Sequence, residues 1–294
     1  MPNLKEVRIR IASVQSTQQI TSAMKMVSAS KLRRAQNAIL TLRPYARKLQ
    51  EILGNLSGSI ENSSAAVFAE KRRTDKVLLI VITSNKGLCG AFNANIIKTT
   101  VRLIQEKYTE NQKNGTLELI CIGKKGSEFF SRRNYKVLER LDHIFDHLSF
   151  EQISPLAERL ISDFAQKRYD HIEVIYNQFK NAASQYVTTE QYLPVVASEV
   201  TVATTSEPDY IFEPGKEEIV GELLPKTLKI QLYKAILDSF AAEHGARMTA
   251  MHKATDNAQE LLKNLRLSYN KARQAAITNE ILEIVSGAEA LKSN

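Results

Sequence analysis

Apolar residues recur at intervals of three and four along the N-terminal part of the chain. Leu4, Val7, Ile11 and Val14 are followed by Ile20, Met24 and Val27, and later by Ile39 and Leu42. This spacing gathers them on one narrow stripe of a helix. No glycine occurs before Gly54. The one proline between residue 3 and about residue 58, Pro44, is where the helix is expected to kink or divide. Residues 61–76, ENSSAAVFAEKRRTDK, break the pattern and read as a linker.

The pattern then changes. KVLLIVIT is a continuous apolar run rich in β-branched residues, the signature of a strand buried on both faces, and LELICIG (117–123) and HIEVIYN (171–177) look the same. Helical patterns, NANIIKTTVRLIQEKY and ISPLAERLISDFAQKRY, separate these runs. Alternating strand and helix predict a Rossmann-like α/β domain with a parallel sheet and right-handed crossovers. YVTTEQYLPVV (186–196) alternates more and is expected at a sheet edge, and TVATTSEPDYIFEPG closes the domain.

From Lys216 the helical stripe resumes and scarcely stops. It runs through Ile219, Leu223, Leu228, Leu232, Ile236 and Phe240. Met248, Met251, Ala254 and Ala258 continue it, then Leu261, Leu265, Tyr269, Ala272, Ile277, Ile281, Ile284 and Ala288. Pro225 is expected to mark a break or a fresh start. Even from there, about 65 residues at 1.5 Å each make a rod of roughly 100 Å. A compact domain of this chain length is only about 50 Å across, so the rod is expected to protrude. Two long helices with thin seams at opposite ends of the chain pair as an antiparallel coiled coil. The fold class is therefore α/β plus a long antiparallel coiled coil, with the sheet domain inserted between the terminal helices. The divisions are 1–60 (first coiled-coil helix), 61–76 (linker), 77–200 (α/β domain), 201–215 (linker) and 216–294 (last coiled-coil helix).

Composition agrees with a part-extended molecule. Of the 294 residues 43% are hydrophobic, enough for a core, but aromatics are only 7% and Trp is absent. Cys89 and Cys121 are far apart in sequence and expected to be free thiols of a reducing compartment. No window of about 18 apolar residues and no leader-like N-terminus occurs, which predicts a cytoplasmic protein that meets a membrane only through partners. Ten cations face two carboxylates in residues 1–60, so the whole net charge of +8 resides there. A basic arm on a neutral body calls for an anionic partner. Within that arm, Ile11 to Met24 carries no formal charge and is rich in Ser, Thr and Gln. Lys25, Lys31, Arg33 and Arg34 then form a basic cluster.

Several constellations invite a chemical reading. SNKGLCGAFN sits between a strand and a helix, as nucleotide-binding loops do, but lacks both G-x-G-x-x-G and G-x-x-x-x-G-K-[ST]. A structural turn using Gly87 and Gly90 is the stronger reading, and IGKKGSEFF (122–130) is a second strand-end loop with the same weakness. His143 and His147 have zinc-like spacing without H-E-x-x-H or a third ligand. Cys89 as a nucleophile would need His244 or His252 as its base, with nothing local to support it. The basic arm has only Tyr45 to stack a base, which weakens nucleic-acid binding. No cofactor and no metal is expected.

ITSAMKMVSASKLRRAQ (20–36), SNKGLCGAFN (84–93), EHGARMTAMHKATDNA (243–258) and LRLSYNKARQAAITNEILEIVSGAEAL (265–291) closely resemble the gamma subunit of rotary ATP synthases. The resemblance runs from end to end in the same order. It implies a non-catalytic central rotor shaft standing inside a hexamer of alpha and beta subunits. The α/β domain would lie beside the epsilon subunit and the c-ring, at the cytoplasmic face of the bacterial inner membrane. Ring rotation driven by proton flow would turn the shaft and cycle the beta catalytic sites for ATP synthesis or hydrolysis. By resemblance, coupling residues fall on Met24, Arg247, Arg273, Gln274, Thr278, Glu280 and Glu283. Arg273 and Gln274 would bond a loop of beta, and the rest would lie where the two helices pack. Lys25, Lys31, Arg33 and Arg34 would meet acidic loops of beta. The uncharged tract would give contact without a preferred angle. The alternatives are a basic coiled-coil nucleic-acid-binding protein with an α/β module, and a nucleotide-dependent enzyme using the 84–93 loop.

Overall fold

The computed structural model describes residues 4–55, 66–70, 72–182, 184–195, 213 and 215–292. The chain divides into two compact units, one of residues 1–27 with 248–294 and one of residues 28–247.

The larger unit is built on a five-stranded sheet of order β3-β2-β1-β4-β5. Its strands are β1 (Val77–Ile82), β2 (Leu117–Ile122), β3 (Val137–Arg140), β4 (His171–Phe179) and β5 (Gln185–Leu193). β1 pairs in parallel with β2 and β4, placing Ile80 beside Ile120 and Val174, and β2 pairs in parallel with β3. β5 closes one edge antiparallel to β4. All six residues of β1 are buried, because side chains alternate into two separate cores. Leu78, Ile80 and Ile82 pack with Ile153, Leu160 and Phe164 of α6 (Phe150–Ala165) and with Leu228, Leu232 and Ile236 of α7 (Lys216–Lys292). Val77, Leu79 and Val81 pack with Phe92, Ile96 and Ile104 of α3 (Phe92–Lys107) and with Phe130 of α5 (Lys124–Arg132). Each such side chain contributes about 1.5–3 kcal/mol on burial.

Two expectations change. IGKKGSEFF is the end of β2 followed by α5, not a loop. Gly123 makes the join at φ 104, and a Cβ there would lie 2.1 Å from the Thr83 carbonyl oxygen. Neither proline ends its helix: α1 (Leu4–Asn55) continues through Pro44, and α7 through Pro225. A helical proline costs about 3 kcal/mol, but Leu49 and Leu53 after Pro44, and Val220, Leu224 and Leu228 around Pro225, are buried. Their burial offsets the lost hydrogen bond. Within 61–76, Ala66–Ala69 form a short helix, α2, and most of 201–215 lies outside the described residues. The remaining α-helix among the described residues, α4 (Thr109–Lys113), is a single turn after α3.

The smaller unit is a helix pair, residues 4–27 of α1 against 248–292 of α7. Val7, Thr21, Met251, Ala258 and Leu262 are buried in it. Arg8 bonds Tyr269 while Thr21 meets Thr255, so the two segments run antiparallel.

Candidate functional site

The uncharged tract of α1 folds as one strip of the helix pair with two faces. Ile11, Val14 and Gln18 turn partly inward, whereas Ser13, Gln15, Ser16, Thr17 and Gln19 are exposed. The inward contact is itself polar: Thr21 and Thr255 place their hydroxyl oxygens 2.9 Å apart. Met24 and Lys25 are half-buried at its end.

Toward the end of α7 the partner helix runs out. Arg8 donates to the Tyr269 hydroxyl at 3.0 Å, and its guanidinium carbon lies 5.9 Å from the ring centre. α1 begins only four residues earlier, at Leu4. Beyond Tyr269 only Ala272 and Ala275 are half-buried through residue 288. Arg273, Gln274, Thr278, Glu280 and Glu283 are all exposed, and the Thr278 hydroxyl returns to the Gln274 carbonyl at 2.9 Å. Thr278, Glu280 and Glu283 therefore do not sit in a helix–helix seam, contrary to the sequence reading. Among the described residues α1 provides nothing opposite them. Ile277, Ile281, Leu282, Ile284 and Val285 are each about half exposed on the same stretch, an unusual density of open apolar surface.

In the larger unit the basic cluster lies on a solvent face. Lys31, Arg33 and Arg34 are exposed, while Ser28, Leu32 and Ala35 on the opposite side of that helix are buried.

Arg247 behaves differently from the other cations. It is 7% exposed and is held in place by Glu243, one turn earlier on α7, at 2.5 Å. Its guanidinium donates to the backbone carbonyls of Lys86, at 3.0 Å, and of Gly87. Burial lifts the Glu243 carboxyl above its ordinary range even with Arg247 beside it. Burial, with Lys31 and Arg247 nearby, holds His244 down to about 3, so that ring is neutral.

The loop pinned by Arg247 satisfies itself. Asn93 accepts from the Ser84 amide at 2.9 Å and donates to the Ser84 hydroxyl at 2.7 Å. Asn85 bridges the Asp142 carbonyl and the Lys124 amide. Gly90 takes φ 60, but its companion in the left-handed region is Leu88 at φ 64, not Gly87. The Ser84, Asn85 and Asn93 side chains are thus engaged by the protein itself. Cys89 is buried, its thiol pushed up by burial, and its sulfur neighbours are Ser84 and Asn93, not a histidine. His252 pairs with Asp256 at 3.2 Å, and His143 and His147 are exposed. Among the described residues no group of three or more His, Cys, Asp or Glu is placed to hold a metal ion.

The seam pairs Thr21–Thr255 and Arg8–Tyr269 were not read from sequence, because pairing register is not written in a single stripe. The Glu243–Arg247 pair did have a signal, its four-residue spacing.

A family described as ATP synthase matches residues 3–291. The ATP synthase gamma chain of Cytophaga hutchinsonii is 54% identical over 295 residues, covering all of both chains. That of Flavobacterium johnsoniae is 58% identical over 291 residues, covering 99% of each. Among solved structures, a chain of the Tetrahymena thermophila mitochondrial ATP synthase central stalk and c-ring is 29% identical with a TM-score of 0.57. It covers 80% of this chain and 99% of that one. A chain of the Euglena gracilis mitochondrial ATP synthase has the same fold, at 22% identity and a TM-score of 0.67 over 98% of this chain and 94% of that one.

Proposed function

The chain belongs to the ATP synthase gamma family, and from that premise we propose that it is the central shaft of a rotary, proton-translocating ATP synthase. It couples rotation of the c-ring to the cycling of catalytic sites on beta subunits. The observation that carries the reading is full-length similarity to gamma chains, joined to a helix pair whose outward strip is polar and uncharged. The partners are the alpha–beta hexamer, the epsilon subunit and the c-ring. No helix among the described residues is long and apolar enough to cross a membrane, consistent with a peripheral place at the cytoplasmic face of the bacterial inner membrane. The chain contributes no catalytic group of its own; nucleotide chemistry belongs to beta. The nucleic-acid reading of the basic arm has no support in these relatives.

A division of labour among the residues follows from their exposure. Lys25, Lys31, Arg33 and Arg34 supply weak, re-formable contacts to acidic loops of beta, each exposed pair contributing about 0.2–1 kcal/mol. Arg273 and Gln274, and the exposed Thr278, Glu280 and Glu283, meet the hexamer from the free end of α7. Met24 marks the junction between the uncharged tract and the cations. Arg247 acts from inside, fixing the 84–91 loop to α7. The helix pair, residues 4–27 with 248–292, serves as the shaft, and the unit of residues 28–247 is the domain that takes the load.

The energetics require many contacts. Driving a site from 1:99 to 99:1 takes about 5.5 kcal/mol of differential interaction. One proton falling through 100 mV supplies roughly 2.3 kcal/mol, so several protons act per site and no single residue carries the coupling.

The test is reconstitution with purified alpha and beta subunits and an ATPase assay with and without this chain. Conversion of a slow mixture into one stoichiometric, hydrolysing complex supports the reading. Failure to assemble or to change turnover sinks it.

A further inference from the structure

A groove between α3 and α5 holds none of the residues given a rotor role above. Its floor is apolar: Ile97, Val101 and Phe129 are each half-buried there. Its rims are cationic, with Lys98 and Arg102 exposed on α3, Arg132 on α5 and Arg133 just after it. Among the described residues none of these four has a carboxylate within 4.0 Å. The carboxylate of the groove, Glu128, is already engaged by Lys125 at 3.1 Å. Arg133 lies over the Phe129 ring, 4.2 Å from its centre.

Four exposed cations along one trough, with Glu128 as the carboxylate of its lining, favour an anionic partner. The shape then selects among anions. A lipid surface is met by apolar side chains that stand out from a protein, whereas these are sunk between two helices. A small anion would leave the apolar floor bare. The groove holds about 960 Å³, at the top of the roughly 300–1,000 Å³ range of small-molecule sites. Along α3 it runs from Asn93 to Gln105, about 18 Å at 1.5 Å per residue. That is the length of a few helical turns. We propose that the α3–α5 groove docks an acidic amphipathic helix of a partner protein, its apolar stripe on Phe129 and Val101 and its carboxylates against the four cations.

The probe is a fluorescent peptide of about 16 residues with Leu at i, i+3, i+4 and i+7 and Glu on both flanks, titrated onto the full chain by anisotropy. Saturable binding is expected, weakened by salt. The double variant Arg102→Glu/Arg132→Glu, and separately Val101→Ser, should each weaken it at least about tenfold. Lys113→Glu, an exposed charge reversal outside the groove, should leave it unchanged and controls for folding. The proposal is overturned if a scrambled peptide of equal charge binds as tightly, or if no binding occurs up to about 1 mM. It is equally overturned if phosphatidylglycerol vesicles bind through the same residues more tightly than the peptide.

Discussion

Thr21 and Thr255 face each other across the helix pair with their hydroxyl oxygens 2.9 Å apart. Each also reaches a carbonyl on its own helix, Gln18 for Thr21 at 3.0 Å and Met251 for Thr255 at 2.8 Å. A polar contact between small side chains thus occupies the position where a coiled coil would ordinarily place Leu. The seam is close and narrow there, with little room for added bulk.

Thr21→Val keeps the shape and removes one hydroxyl, and Thr255 retains its Met251 carbonyl. The expected loss is about 0.5–1.5 kcal/mol. Thr21→Leu crowds the same spot and should cost more, about 1–3 kcal/mol. Urea denaturation of the two variants orders them; a Leu variant as stable as the parent would contradict the close seam.

Arg247 and Glu243 neutralise each other in a buried site. Arg247→Ala strands Glu243 and frees the carbonyls of Lys86 and Gly87, at an expected cost of about 3–5 kcal/mol. Combining it with Glu243→Gln should recover part of that loss. Limited proteolysis of the single variant should find new cleavage between residues 84 and 91.

Glu173 contributes to the acid limb of stability. Burial alone would raise its carboxyl, but hydrogen bonds from His171, Lys107 and Tyr108 outweigh burial and hold it at about 2. The folded form therefore binds its proton more weakly than the unfolded chain. The stabilisation is present above about pH 4.5 and is lost as pH falls toward 2. At most about 3 kcal/mol is involved. Glu173→Gln should flatten that limb in pH-dependent denaturation, and an unchanged slope would refute the assignment.

Asp238 acts with the opposite sign. Burial raises its carboxyl to about 6 despite Lys234 and Arg43. The folded state then binds the proton more tightly, so stability rises as pH falls from about 6 to 3.8. Asp238→Asn should stabilise the chain at neutral pH, by no more than about 3 kcal/mol. A destabilised Asn variant at pH 7 would show that the attraction to Lys234 and Arg43 outweighs the burial.

Sequence made the architecture legible where one physical signal dominated. The apolar runs beginning at 77, 117 and 171 carried the signature of interior strands, although only 77–82 is buried throughout, and the two stripes predicted the long helices. β3 escaped because VLER is four residues long with alternating exposure. α5 escaped because the glycines of IGKKGSEFF read as loop residues, although one of them, Gly123, forms the helix start. The prolines misled because local propensity is overridden by buried neighbours on the same helix. At the candidate site, family resemblance pointed to positions but said nothing of their surroundings. Nothing in the spacing says that Arg247 is buried against a loop of its own domain, or that no described residue of α1 lies opposite Thr278.

The most direct measurement is rotation itself. A bead is fixed to an exposed cysteine introduced on α4, with alpha and beta held to a surface, and ATP is added. The rotor assignment predicts unidirectional stepping whose rate follows ATP turnover, slowed when Gln15, Ser16 and Gln19 on the uncharged strip are changed together to Leu. Steady ATP hydrolysis by the complex with a stationary bead would contradict it.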